Sequence, residues 1–88
     1  MDIGALEAQL HGEGFKHTYV WEDGPNAKYP DHTHPTETAH IILDGEMTLT
    51  VNGQSVTCGI GERVDVPANE VHAARMGPQG CRYVIGEK

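Results

Sequence analysis

From residue 16 onward, apolar and polar residues alternate in short runs broken by Gly, Pro, Asn and Asp, the period of two that belongs to half-buried strands. Residues 16–21 and 27–32 form the first two such runs, separated by the turn Asp23-Gly24-Pro25-Asn26. Residues 38–43 predict a buried strand stopped by Asp44-Gly45, and in 47–51 Met47, Leu49 and Val51 face one way while Thr48 and Thr50 face the other. Asn52-Gly53 follows, a strong two-residue hairpin signal because both central positions of that turn need positive φ, so 54–58 is expected to pair back on 47–51. Further strands are expected at 63–66, 71–76 and 81–85. Only the start reads as helix: Ile3, Leu6 and Leu10 recur at helical spacing over 2–11, Asp2 can cap the first turn, and Gly12 and Gly14 end it. Eight short strands with turns between them and one helix predict an all-β closed barrel or jelly roll.

Length and charge narrow what such a fold can do. The chain has 88 residues, one domain near the lower limit for burying a sufficient core alone. The apolar stripe of the helix and the edges of the sheet need cover, so a homodimer is expected. A formal net charge of −7 repels phosphate backbones and anionic lipid, which sets nucleic acid and membrane aside as partners. No run of residues has the length and apolarity of a membrane span, and the start lacks the basic and apolar regions of a signal peptide, so a cytoplasmic protein is expected. Cys58 and Cys81 are too few and too far apart for a disulfide framework and read as reduced, buried thiols.

The candidate chemistry lies in histidine. His32 and His34 are two residues apart, and on an extended chain that spacing sends both rings to the same side. Two imidazoles side by side are half of a metal site, and His72, from another strand, is the candidate for a third nitrogen. His17 reads as an ordinary strand residue.

These residues also fall into two motifs. His32-Thr33-His34 followed by Gly45, then Gly61, Pro67 and His72, with the Asn52-Gly53 hairpin between them, resembles the paired motifs of the cupins over residues 24–86. The resemblance implies a cupin-type double-stranded β-helix; with the helix read above, the chain divides into a helical segment, 1–14, and a barrel, 15–88. It also implies one divalent transition metal (iron, zinc, nickel, copper or manganese) on His32, His34 and His72. The family's acidic ligand falls on Thr38, a poor ligand. His40, two residues on and on the same inward face, is the expected replacement and fourth metal ligand; Glu37, of opposite parity, and water are the alternatives. Tyr83 and the arginines Arg63, Arg75 and Arg82 are candidates for substrate contact, but they read as outer-face residues. The function implied is a small metal-binding cupin acting on a small-molecule substrate, in the manner of a dioxygenase or isomerase. The alternative is a non-catalytic binding or sensory module with a structural metal.

Overall fold

The computed structural model describes residues 1–88. Its elements run α1 (Ile3–Gly12), β1 (His17–Asp23), β2 (Lys28–His32), β3 (Thr38–Val51), β4 (Gln54–Cys58), β5 (Arg63–Val66) and β6 (His72–Glu87). The helix starts where expected, with the Asp2 carboxylate accepting from the Ala5 N–H at 3.1 Å. All strands pair antiparallel in one six-stranded sheet. β3 and β6 form its spine, and β1, β2, β4 and β5 each hang from one of these two.

Six strands form where eight were expected, because two of the predicted breaks are bends within strands. β3 runs straight through Asp44-Gly45, and β6 through the Gly77-Pro78-Gln79-Gly80 segment. Gly45 (φ 76°) and Gly80 (φ 79°) both take left-handed backbone, and the β3–β6 register shifts on either side of Gly45. The two backbones meet there so closely that a Cβ on Gly45 would overlap the Gly80 carbonyl. Glycine therefore lets the pair turn the corner of the jelly roll without ending its ladder. By contrast, Asn52 (φ 52°) and Gly53 (φ 75°) make the predicted hairpin, with Val51 paired to Gln54.

The bend also reverses which parity faces inward. On β3, Thr38, His40 and Ile42 point into the barrel before the corner, and Met47 and Leu49 after it; on β6 the inward set is His72, Ala74 and Met76, then Tyr83, Ile85 and Glu87. The alternate residues, Ala39, Ile41 and Val84, form a second cluster on the outer face, closed by Leu10 and Phe15. Leu10 and Phe15 are essentially fully buried, roughly 1.5–3 kcal/mol each from removing their side chains from water. The stripe of α1 is therefore covered by its own sheet, which removes one of the two reasons for expecting a dimer. Cys58 and Cys81 are free and buried, as expected, and burial foremost pushes the Cys81 thiol up to about 11.

The corner gives a paired test. Gly45→Ala should cost more than about 3 kcal/mol in denaturant unfolding, because left-handed strain and a backbone overlap add. Gly53→Ala, at a similar φ but with open space around it, should cost only about 1–2 kcal/mol. Equal losses would mean that backbone conformation alone, without the contact, decides both positions.

Candidate metal centre

Three elements bring His32, His34 and His72 together. His32 and His72 are direct cross-strand partners on β2 and β6. His34 lies in the loop after β2, and its carbonyl accepts from the Asn69 N–H at 2.8 Å, which ties that loop to the turn leading into His72. Asn69 makes that turn at φ 63°, a left-handed position that asparagine tolerates. The ring centroids are 4.2 Å apart for His32–His72, 4.9 Å for His32–His34 and 5.0 Å for His34–His72.

The hydrogen bonds decide which nitrogens are free. His32 Nδ1 meets the Pro30 carbonyl at 2.7 Å and His72 Nδ1 meets the Glu70 carbonyl at 2.9 Å. A carbonyl can only accept, so each Nδ1 carries the proton, and in the neutral ring Nε2 keeps its lone pair. Backbone acceptors of this kind orient metal-binding imidazoles. One ring nitrogen from each of the three histidines lies within 4.8 Å of the others. Two nitrogens about 2.0–2.1 Å from a common ion are at most about 4.2 Å apart, so small ring rotations would close the set. His34 is held below its ordinary value, first by desolvation and then by the neighbouring His72 and His32; the charge of Glu87 pulls weakly the other way. A low value favours the neutral form that a metal needs.

His40 stands outside this group of three, one inward position deeper on β3 in the same cavity. Its Nδ1 reaches the Val64 carbonyl at 3.3 Å, again leaving Nε2 to the interior. Thr38, between His40 and the cluster in sequence, is 2 % exposed, and its Oγ1 has no hydrogen-bond partner in the protein. A buried hydroxyl without a partner costs free energy unless something in the cavity completes it, so the donor set and this orphan both suit an occupied centre. Glu37 does not contribute: its carboxylate pairs with Lys88 at 3.2 Å on the surface.

The three histidines, Thr38 and His40 all open onto a cavity of about 450 Å³ whose remaining walls are mostly apolar or aromatic, including Met47, Leu49, Met76 and Ile85. That size suits a small molecule. Tyr19, Trp21 and Tyr29 form the rim. Asp23 holds three of the aromatic residues, accepting from Trp21 Nε1 at 3.1 Å, Tyr29 OH at 2.6 Å and Tyr83 OH at 2.7 Å. Burial, and after it the Asp23 carboxylate, raises the Tyr83 and Tyr29 phenols, so both stay protonated donors. Tyr83 was expected outside and is instead buried in the cavity wall, because the register shift at the corner turns odd residues of β6 inward. The three arginines do lie outside; Arg63, for one, is clamped between Glu13 and Asp65. The aromatic rim and Glu87 were not singled out from sequence. The alternation Tyr19, Trp21, Asp23 on one face of β1 was the available signal for the rim.

A family model described as the cupin domain matches residues 19–84. The chain belongs to the cupin family. It is 33 % identical over 82 residues to a quercetin 2,3-dioxygenase of Bacillus subtilis, covering 90 % of this chain but 24 % of that protein. Among solved structures it resembles the DMSP lyase DddQ of Ruegeria pomeroyi (TM-score 0.73, 28 % identity, 81 % of this chain and 36 % of that one). It also resembles a Rhizobium leguminosarum protein of unknown function (TM-score 0.75, 23 % identity, 80 % of this chain and 66 % of that one). This cupin therefore spans about a quarter of the dioxygenase and about a third of the lyase. No helix in it is long and apolar enough to cross a membrane.

Burial of His40 gives the metal-free protein a distinct acid limb. Desolvation, the largest cause, lowers its pKa from 6.5 to about 4. Between those values the unfolded chain binds one more proton than the folded one, so the stability present above pH 6.5 is lost as pH falls toward 4. The loss should be about 3 kcal/mol. Urea unfolding at pH 7, 5.5 and 4 should show it, and His40→Asn should flatten that limb; an unchanged slope in the variant would assign the loss to other groups.

Proposed function

We propose that this cupin holds one divalent transition ion on His32, His34 and His72 and uses it on a small, flat, largely apolar molecule bound in the adjoining cavity. The observation that carries this reading is the set of three imidazoles, two with Nδ1 tied to carbonyls, converging at the opening of an aromatic-lined pocket. Neutral nitrogen donors favour iron, zinc, nickel or copper over magnesium or calcium. When bound, such an ion supplies Lewis-acid or oxygen-activating chemistry to a ligand oxygen. The protein's part is to orient and enclose. Trp21 and Tyr29 present faces at the rim, Met47, Met76 and Ile85 exclude water, and the Thr38 hydroxyl and His40 Nε2 offer polar contacts deep in the pocket. Similarity to a quercetin dioxygenase supports an oxygenase-like activity on such a molecule.

On this reading His40 meets the bound molecule and not the ion, because its ring is tied through Nδ1 to the Val64 carbonyl, one inward position deeper on β3 than Thr38. Ligation by His40 is the competing reading, and it would favour a closed, structural four-nitrogen site without turnover.

Zinc titration by calorimetry, with elemental analysis of protein purified without added metal, tests both. One ion per chain is expected, lost in His32→Ala and in His72→Ala and retained in His40→Ala. Binding should weaken as pH falls below about 6.5, where imidazoles compete for protons. Stoichiometric metal in His32→Ala would sink the assignment, and a large loss in His40→Ala would move that ring into the ligand set.

A homodimer is also proposed, now on the strand edges alone. β1 and β4 end the sheet with unpaired edges, and Tyr19, Trp21 and Val56 on them are exposed. Light scattering at micromolar concentration should give twice the chain mass; a monomer throughout that range would remove the proposal.

A further inference from the structure

The family's acidic ligand is absent from position 38, yet a carboxylate stands directly across the sheet from it. Thr38 on β3 and Glu87 on β6 are register partners. Opposed residues of an antiparallel pair have Cβ atoms about 4.5–5.5 Å apart and point to the same face. Both side chains line the cavity of the three histidines; the Glu87 carboxylate, like His40, stands outside their group of converging ligand atoms, so a side-chain rotation must bring it to the ion. Its backbone is held on both sides, opposite His17 of β1 as well as Thr38, and the Glu87 carbonyl accepts from the Lys16 N–H at 2.9 Å. One carboxylate oxygen, Oε2, accepts from the Tyr19 hydroxyl at 3.0 Å, and no protein donor engages Oε1.

From this placement we infer that Glu87 is the carboxylate ligand of the metal centre, delivered from β6 in place of the residue missing from β3. The inference rests on the three-histidine reading above. Thr38 is small, its hydroxyl is unpartnered, and it borders the same cavity as the longer side chain of Glu87 on the next strand. Three neutral imidazoles leave a divalent ion with its full charge in a largely apolar cavity, and one carboxylate halves that charge. Tyr19 then has a defined task. Its hydroxyl holds one oxygen and turns the other toward the histidines, as hydrogen bonds to metal-binding carboxylates do.

Zinc alone is the probe, with affinity measured by competition against a chelator. Parent protein should bind one ion. Glu87→Gln, which keeps shape and the capacity to accept from Tyr19, should bind at least about tenfold more weakly, since even indirect partners of metal ligands are worth about 10- to 100-fold. Tyr19→Phe should lose less than Glu87→Gln. A crystal of the zinc-loaded parent supplies a measurement that needs no variant, with a Glu87 oxygen expected about 2.0–2.2 Å from the ion. Parent-like affinity in Glu87→Gln, an equal loss in Tyr19→Phe, or a zinc-loaded structure with Glu87 turned away each overturns the role of Glu87 and leaves the histidine centre standing. A parent protein that binds no zinc overturns the histidine centre as well.

Discussion

Everything in this protein hangs on the antiparallel pairing of β3 with β6. It runs from Thr38 opposite Glu87 at one end to Val51 opposite His72 at the other, and every other strand is attached to one of these two. A pair so long would stay a twisted ribbon unless it could bend. Gly45 and Gly80 supply the bend at backbone contact distance, where a side chain on Gly45 has no room. Because the register shifts there, the inward set changes parity along each strand. That is how an 88-residue chain lines one cavity with both halves of two strands and still offers their backs to α1.

The site is a product of that pairing as much as of its histidines. His72 starts β6 and meets His32 across the ladder, while Glu87 ends the same strand beside Thr38. The two ends of one strand thus reach the same cavity, which only the bend makes possible. Local hydrogen bonding does the rest. The carbonyls of Pro30 and Glu70, each two residues before the histidine it orients, fix the tautomer and leave Nε2 free. Pro30 sits on a strand paired on one side only, where the missing N–H costs no ladder bond. Asp23 performs the comparable task for the aromatic wall, holding Trp21, Tyr29 and Tyr83 by a single carboxylate.

The opposition of Thr38 and Glu87 across the ladder bears on where a carboxylate can enter this cavity. Within one strand, a ligand can move only by two residues without leaving its face, which makes His40 the natural substitute for a residue at position 38. Across a ladder the nearest same-face neighbour is the register partner, at a comparable distance and with no change of depth. Glu87 is that neighbour.

Much of this is legible in the sequence. Strand alternation, the left-handed Asn52-Gly53 hairpin and the i, i+2 histidines depend on the chain within a few residues, so the sequence alone determined the all-β class, the helix, the hairpin and the pairing of His32 with His34. The two motifs added His72. What sequence could not decide was whether Asp44-Gly45 and Gly77–Gly80 end strands or bend them. A glycine at positive φ suits either, and only the partner backbone at Gly80 selects the bend. From that one tertiary choice came the inward turn of Tyr83 and the opposition of Glu87 to Thr38. The self-covered helix likewise needed Ala39, Ile41 and Val84 assembled from two strands. Side-chain spacing within a strand is fixed by local geometry; register between strands is a property of the folded sheet, and the placing of Glu87 opposite Thr38 lies on the far side of that divide.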